Sequence, residues 1–166
     1  MVINPAGTVT VTEFFDFNCG YCKVVAPEVV KLVQENPDVR LVLKQFAFQT
    51  PYSIQAAKIA LTSDAKAKAL PLYQTLLAQK PLDSAAIDRS LLAVGLDPTA
   101  ARRAAEAPAI AKQMEDARDL AAQLQIDGTP AFIVGDQVIH GADIEALRAA
   151  IVAARAKGLK RPGSPT

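Results

Sequence analysis

The chain has no tryptophan, one histidine and only two cysteines in 166 residues. Two cysteines cannot build the disulfide framework of a small secreted scaffold, which needs several bridges. With His140 as the only histidine, a cysteine-based zinc centre falls short of its about four ligands, so no metal is expected. Neither sign of charge is in excess. Lys and Arg number 18 and Asp and Glu 17, a net charge of +1. Nothing here would neutralise a phosphate backbone or draw the chain to an anionic lipid surface, so no nucleic-acid partner is expected. No apolar run approaches the ~18 residues that cross a bilayer, so the chain is not expected to be membrane-embedded. Met1-Val2-Ile3-Asn4-Pro5 lacks the basic and apolar regions of a signal peptide and reads as a mature or trimmed start. Arg161 to Thr166 reads as a disordered tail.

What is present is an alanine-rich chain, 51% apolar, long enough to bury a real core. Val9 to Phe17 reads as a strand rich in Val, Thr and Phe. A helix begins at about Cys19, with Val25, Val29, Leu32 and Val33 at helical spacing. Pro27 lies inside it and should bend it without ending it. Asn36-Pro37-Asp38 closes the helix, and Val39 to Phe46 reads as a buried strand. Strand, helix and strand make a βαβ unit with parallel strands.

From 52 to 124 the strand signal vanishes. Helices are expected, broken at Ser63-Asp64, Pro81, Asp97-Pro98 and Pro108, with Asp83 or Ser84 and Asp97 as N-caps. Two short strands follow, Ala131 to Val134 and Gln137 to His140, around a Gly135-Asp136 turn. Asp143 caps a last helix to about Lys157. The expected fold is α/β, with the order β-α-β, helical insert, β-β-α. Residues 1–51 and 125–160 form one domain, 52–124 an inserted helical one and 161–166 the tail.

Cys19 and Cys22 carry the chemistry. At three positions apart near a helix start they share a face, close enough to bridge with small adjustment. The unpaired N–H groups and dipole of a helix N-terminus stabilise a thiolate at Cys19. Cys19 should therefore be the exposed nucleophile, and Cys22, one turn in, the shielded resolving thiol. Gly20-Tyr21 between them offers no cation, so the thiolate should be less stabilised than in strongly oxidising proteins. Half of a zinc site, a structural disulfide or two inert buried thiols are the competing readings of the pair.

Thr129-Pro130 directly precedes a short strand. It is either a turn or, as a cis proline, a device that holds the Thr129 backbone open for a substrate strand. Glu13 sits in an apolar strand six residues before Cys19. It is either a solvent-facing position or a buried carboxylate of raised pKa that relays protons to Cys22, with Lys44 as a cross-strand partner. The phenylalanines Phe14, Phe15, Phe17, Phe46 and Phe48 are expected mostly in the core. A catalytic role for His140 is disfavoured.

The stretch Phe14-Phe15-Asp16-Phe17-Asn18-Cys19-Gly20-Tyr21-Cys22-Lys23, with Gly128-Thr129-Pro130-Ala131-Phe132-Ile133-Val134-Gly135 far downstream, resembles the DsbA-like thioredoxin-fold family. The resemblance covers nearly the whole chain, because that family inserts a helical domain at the same place. It implies a thioredoxin fold and a protein thiol–disulfide oxidoreductase with no cofactor beyond the Cys19–Cys22 pair. Glu13 matches the family's acidic residue before the cysteines. Gly20-Tyr21 and Thr129 depart from the DsbA oxidases and look like the DsbC-type isomerases and the suppressor-of-copper-sensitivity (ScsC) proteins. The resemblance implies a periplasmic home, unfolded or misoxidised protein substrates and a membrane reductase of the DsbD or ScsB kind. Isomerases of this type generally need two facing domains. This chain is expected to be monomeric, and a longer parent with an N-terminal oligomerisation segment would be oligomeric. A DsbA-like oxidase and, from another class, a copper- or metal-handling thiolate module are the alternatives.

Overall fold

The computed structural model describes residues 1–158; the expected 161–166 tail lies outside them. Strand β2 (Val9–Phe15) runs through the centre of a five-stranded sheet. Its alternation puts Val9, Val11, Glu13 and Phe15 on one face and Thr10, Thr12 and Phe14 on the other. The other strands are β1 (Val2–Ile3), β3 (Val39–Gln45), β4 (Ala131–Val134) and β5 (Gln137–His140). The sheet order is β1-β3-β2-β4-β5. Only the β2–β3 pair is parallel, with Glu13 opposite Leu43 and Phe14 opposite Lys44.

Helix α1 (Gly20–Glu35) connects β2 to β3 and runs through Pro27. Six helices follow: α2 (Pro51–Ala60), α3 (Ser63–Lys66), α4 (Ala69–Leu77), α5 (Ser84–Ala93), α6 (Pro98–Ala104) and α7 (Pro108–Gln123). Asp83 and Asp97 cap α5 and α6 by accepting the N–H three residues on, at 2.7 and 2.6 Å. Pro98 and Pro108 open their helices, where a missing N–H costs nothing. Helix α8 (Ile144–Ala156) ends the described fold, capped by Asp143. This is the thioredoxin fold with a helical segment between its two halves.

One sheet face, carrying Val11, Leu41, Leu43, Phe132 and Val134, is buried under α1 and α8, with α4 packed beside α1. The opposite face is covered at its Phe14 end, where Ala121 at the end of α7 meets Phe14 and Ala131. Helix α7 reads by composition as part of the helical block, yet it packs on the sheet.

Three local expectations are corrected. Strand β2 stops at Phe15, not Phe17, because Asp16 turns the chain: its carbonyl accepts from Cys19 N at 3.1 Å and its carboxylate from Asn18 N at 2.7 Å. Strand β1 had no signal, since two residues carry no period; it is tied to β3 through Leu43 N to Met1 O at 2.9 Å. Phe48 is not core. It is 52% exposed, beyond the end of β3.

Candidate active site

The turn Asp16–Asn18 delivers Cys19 to the N-cap of α1, where its sulfur accepts from the Cys22 N–H at 3.4 Å. The same sulfur lies 3.3 Å from the Thr129 carbonyl oxygen. Residues 110 apart in sequence thus meet at one atom. The Thr129–Pro130 peptide is cis, as is Lys80–Pro81.

Cys19 is pulled from the ordinary thiol value of 9.0 to about 5. A hydrogen bond from the Cys22 thiol is the main cause, and burial opposes it. Thr129 and the backbone N–H groups of Cys22 and Tyr21 add to the lowering. The Thr129 hydroxyl is buried and makes no hydrogen bond among the described residues. Cys22 is pushed far upward, first by its hydrogen bond to Cys19, then by burial. The pair is therefore asymmetric, with a thiolate at Cys19 and a thiol at Cys22. The expectation that Cys19 is exposed is corrected: it is 2% accessible and lines the groove in front of it.

Glu13 is fully buried, so the solvent-facing reading fails. Burial raises its carboxyl from 4.5 to about 8, and the charge of Cys19 adds to the rise. Tyr73 on α4 opposes this by donating to the Glu13 carboxylate, at 3.1 Å to Oε1 and 3.0 Å to Oε2. Lys44 is not the partner of Glu13. It pairs in register with Phe14 and so belongs to the opposite face of the sheet. His140 is exposed at the end of β5, opposite Ala131 in the register.

An open groove of about 830 Å³ lies in front of Cys19. Of the four residues expected at a substrate site, Gly20, Tyr21 and Thr129 line it, with Tyr21 72% exposed, while Pro130 is buried and does not. Four contributors were not anticipated from sequence: Tyr73, Asp16, Lys23 and Lys80. Tyr73 had one usable signal, since a tyrosine in an apolar helix face needs a partner for its hydroxyl. Asp16 is buried, and its carboxylate also accepts from Phe48 N at 3.0 Å and Gln49 N at 3.1 Å. It thereby locks the loop after β3 against the active-site turn. Among the described residues, no group of three His, Cys, Asp or Glu side chains converges to hold a metal.

Residues 10–152 match the family model of the DSBA-like thioredoxin domain. The chain belongs to the DsbA-like thioredoxin family. Among solved structures, this DsbA-like domain is similar to a thioredoxin-like oxidoreductase from Silicibacter pomeroyi, at 34% identity and a TM-score of 0.87, covering 94% of this chain and 92% of that one. A periplasmic thioredoxin-like protein from Salmonella enterica serovar Typhimurium is 29% identical, with a TM-score of 0.84, covering 93% and 89%. Proteus mirabilis ScsC in a transitional conformation is 28% identical, with a TM-score of 0.79, covering 92% and 70%. The domain is also 34% identical to part of a protein described as Na(+)/H(+) antiporter NhaA 3 from Salinispora tropica, over 93% of this chain and 24% of that one. It thus spans about a quarter of the length of the curated relatives it matches. No helix among the described residues is long and apolar enough to cross a membrane.

Proposed function

We propose that this DsbA-like domain exchanges disulfides in extracytoplasmic proteins, working in the direction of reduction or isomerisation. The observation that carries the proposal is the asymmetry of the pair, a thiolate at Cys19 facing a groove and a protonated Cys22 behind it. Cys19 attacks one sulfur of a substrate disulfide. A Cys19–substrate bond forms, the substrate S–S bond breaks, and the second substrate sulfur leaves as a thiolate that takes a proton from water. Cys22 then loses its proton toward the Glu13 carboxylate and attacks the Cys19 sulfur. The Cys19–Cys22 bond forms and the first substrate sulfur is released. Two electrons have passed from the domain to the substrate. A dithiol of a membrane reductase of the DsbD or ScsB kind would restore the reduced pair by the same exchange. If the substrate's own thiolate attacks before Cys22 does, the result is isomerisation.

The resemblance of Gly20-Tyr21 and Thr129 to the DsbC-type isomerases supports the direction. The periplasmic assignment rests on the family resemblance and on the similar Salmonella protein, which is described as periplasmic. Unfolded or misoxidised proteins fit a groove that is open and lined by Tyr21 and Phe48. The lowered Cys19 pKa favours a second reading, a DsbA-like oxidase, because a stabilised thiolate makes the disulfide more oxidising.

The test is insulin reduction by the reduced domain. Cys19→Ser should abolish it, and Cys22→Ser should accumulate a covalent substrate adduct visible on a non-reducing gel. Undiminished reduction by Cys19→Ser would refute the assignment.

A further inference from the structure

The groove in front of Cys19 has an apolar surface, and around the Cys19 thiolate its charged side chains are all positive. Tyr21, Val24 and Phe48 line it with 72%, 70% and 52% of their surface exposed. Apart from the Cys19 thiolate, its charged lining residues are Lys23 and Lys80, and no carboxylate lines it. The two lysines come from different elements and are fastened together. The Lys23 ammonium, in the first turn of α1, donates to the Gln79 carbonyl at 2.7 Å and to Asn18 Oδ1 at 3.1 Å. Gln79 immediately precedes Lys80, so this bond holds the α4–α5 connection at the groove and sets Lys80 on its rim.

Neither lysine forms an ion pair among the described residues. Asp16 and the Cys19 thiolate attract Lys23, but the Asp16 oxygens are engaged by three backbone N–H groups and Cys19 is a single charge against two lysines. Burial and then the charge of Lys80 hold Lys23 below the ordinary lysine value. One exposed lysine on a surface means little. A half-buried lysine without an ion pair, tied beside a second cation at the mouth of a reactive site, leaves a positive field for an incoming group to neutralise.

We propose that this groove selects protein disulfides whose reactive cysteine has aspartate or glutamate two positions to either side. The inference rests on the disulfide-exchange reading above and names its substrate class. An extended segment pairing with the Thr129 backbone would point its cysteine at Cys19. Side chains two positions away point to the same side as the cysteine, within reach of Lys23 and Lys80. Its other apolar side chains would lie on Tyr21, Val24 and Phe48.

Three otherwise identical peptides test this, with Asp, Ser or Lys at the −2 and +2 positions. Each carries its cysteine as a mixed disulfide with 2-thiopyridine. Attack by Cys19 on the peptide sulfur releases the coloured thiopyridone, and Cys22 then releases the peptide thiol. Rates are divided by those of the same peptides with dithiothreitol, which removes intrinsic reactivity. At low salt the Asp peptide should react roughly 10-fold faster than the Lys peptide, and the ratio should collapse toward one at about 0.5 M salt. Lys80→Glu should compress or invert the ratio, which is read within each protein, so a loss common to all peptides does not count. Equal normalised rates at low salt overturn the proposal and leave disulfide exchange standing. No release from any peptide overturns the exchange reading itself.

Discussion

Cys19 and Cys22 are the same residue with opposite acid–base tendencies, and position alone separates them. Cys19 caps a helix and collects donors; Cys22 lies inside the first turn, buried beside the charge of its partner. Attack should therefore gain rate as pH rises through about 5 and then level off. Resolution should depend on a second group, Glu13, which becomes a carboxylate only near pH 8. Burial raises that point and Tyr73 holds it down, because its hydrogen bonds favour the charged form. Tyr73→Phe should move the midpoint of the resolving step upward by about one pH unit and lengthen the life of the mixed disulfide at pH 7 about 10-fold. Quenched-flow trapping of the adduct across pH reads this, and an unshifted profile would leave Tyr73 a merely structural residue.

Glu13 also makes stability depend on pH, with a definite sign. Between about 4.5 and about 8 the native state holds a proton that the unfolded chain has released. The group's contribution is complete below 4.5 and is lost as pH rises through 8. Glu13→Gln cannot ionise. Relative to the parent, it should gain roughly 4–5 kcal/mol between pH 4 and pH 9 in denaturant unfolding of the reduced protein. A pH-independent difference between the two proteins contradicts a buried, proton-holding Glu13.

Among the elements, the β2–α1 turn is the one on which the site depends, and much of it was legible. Cysteine spacing, a strand before it and a helix after it are local patterns, and so are the caps Asp83, Asp97 and Asp143. Glu13 stood out because a carboxylate in an apolar strand is anomalous on its own. Its partner was misassigned by a single residue: with a period of two, position 43 shares the face of Glu13 and position 44 does not. Tyr73 lies 60 residues from Glu13, on a helix whose docking no local pattern reveals. Lys23 and Lys80 were hidden for the same reason, since the groove is assembled from segments far apart in sequence. Strand β1 was too short to read, but the chain entering β2 carries a testable constraint. A Cβ on Gly7 would lie 2.6 Å from Arg40 N and Val39 C, which are backbone atoms that cannot swing aside. Gly7→Ala should therefore lower stability by roughly 1–3 kcal/mol in a denaturant titration, with the midpoint moving and redox activity intact. An unchanged midpoint would mean that the segment before β2 and the start of β3 part easily.

Across the whole molecule, the helical segment is part of the active site, since it supplies Tyr73 behind the cysteines and Lys80 in front of them. Its closeness to α1 is continuous with the core: Leu72, Leu76 and Tyr73 are fully buried with Phe15, Cys22 and Val25 in one apolar cluster. The redox poise is therefore a property of the assembled fold, not of Gly20-Tyr21 alone. With Cys19 at about 5, the domain falls between thioredoxin, at ~7 and ~−270 mV, and DsbA, at ~3.5 and ~−120 mV. The most direct measurement is the reduction potential of the Cys19–Cys22 pair, from its equilibrium with glutathione. The expected value is about −180 to −240 mV, a pair able to reduce or reshuffle mispaired disulfides. A value near ~−120 mV would contradict the reductive direction and make the domain an oxidase.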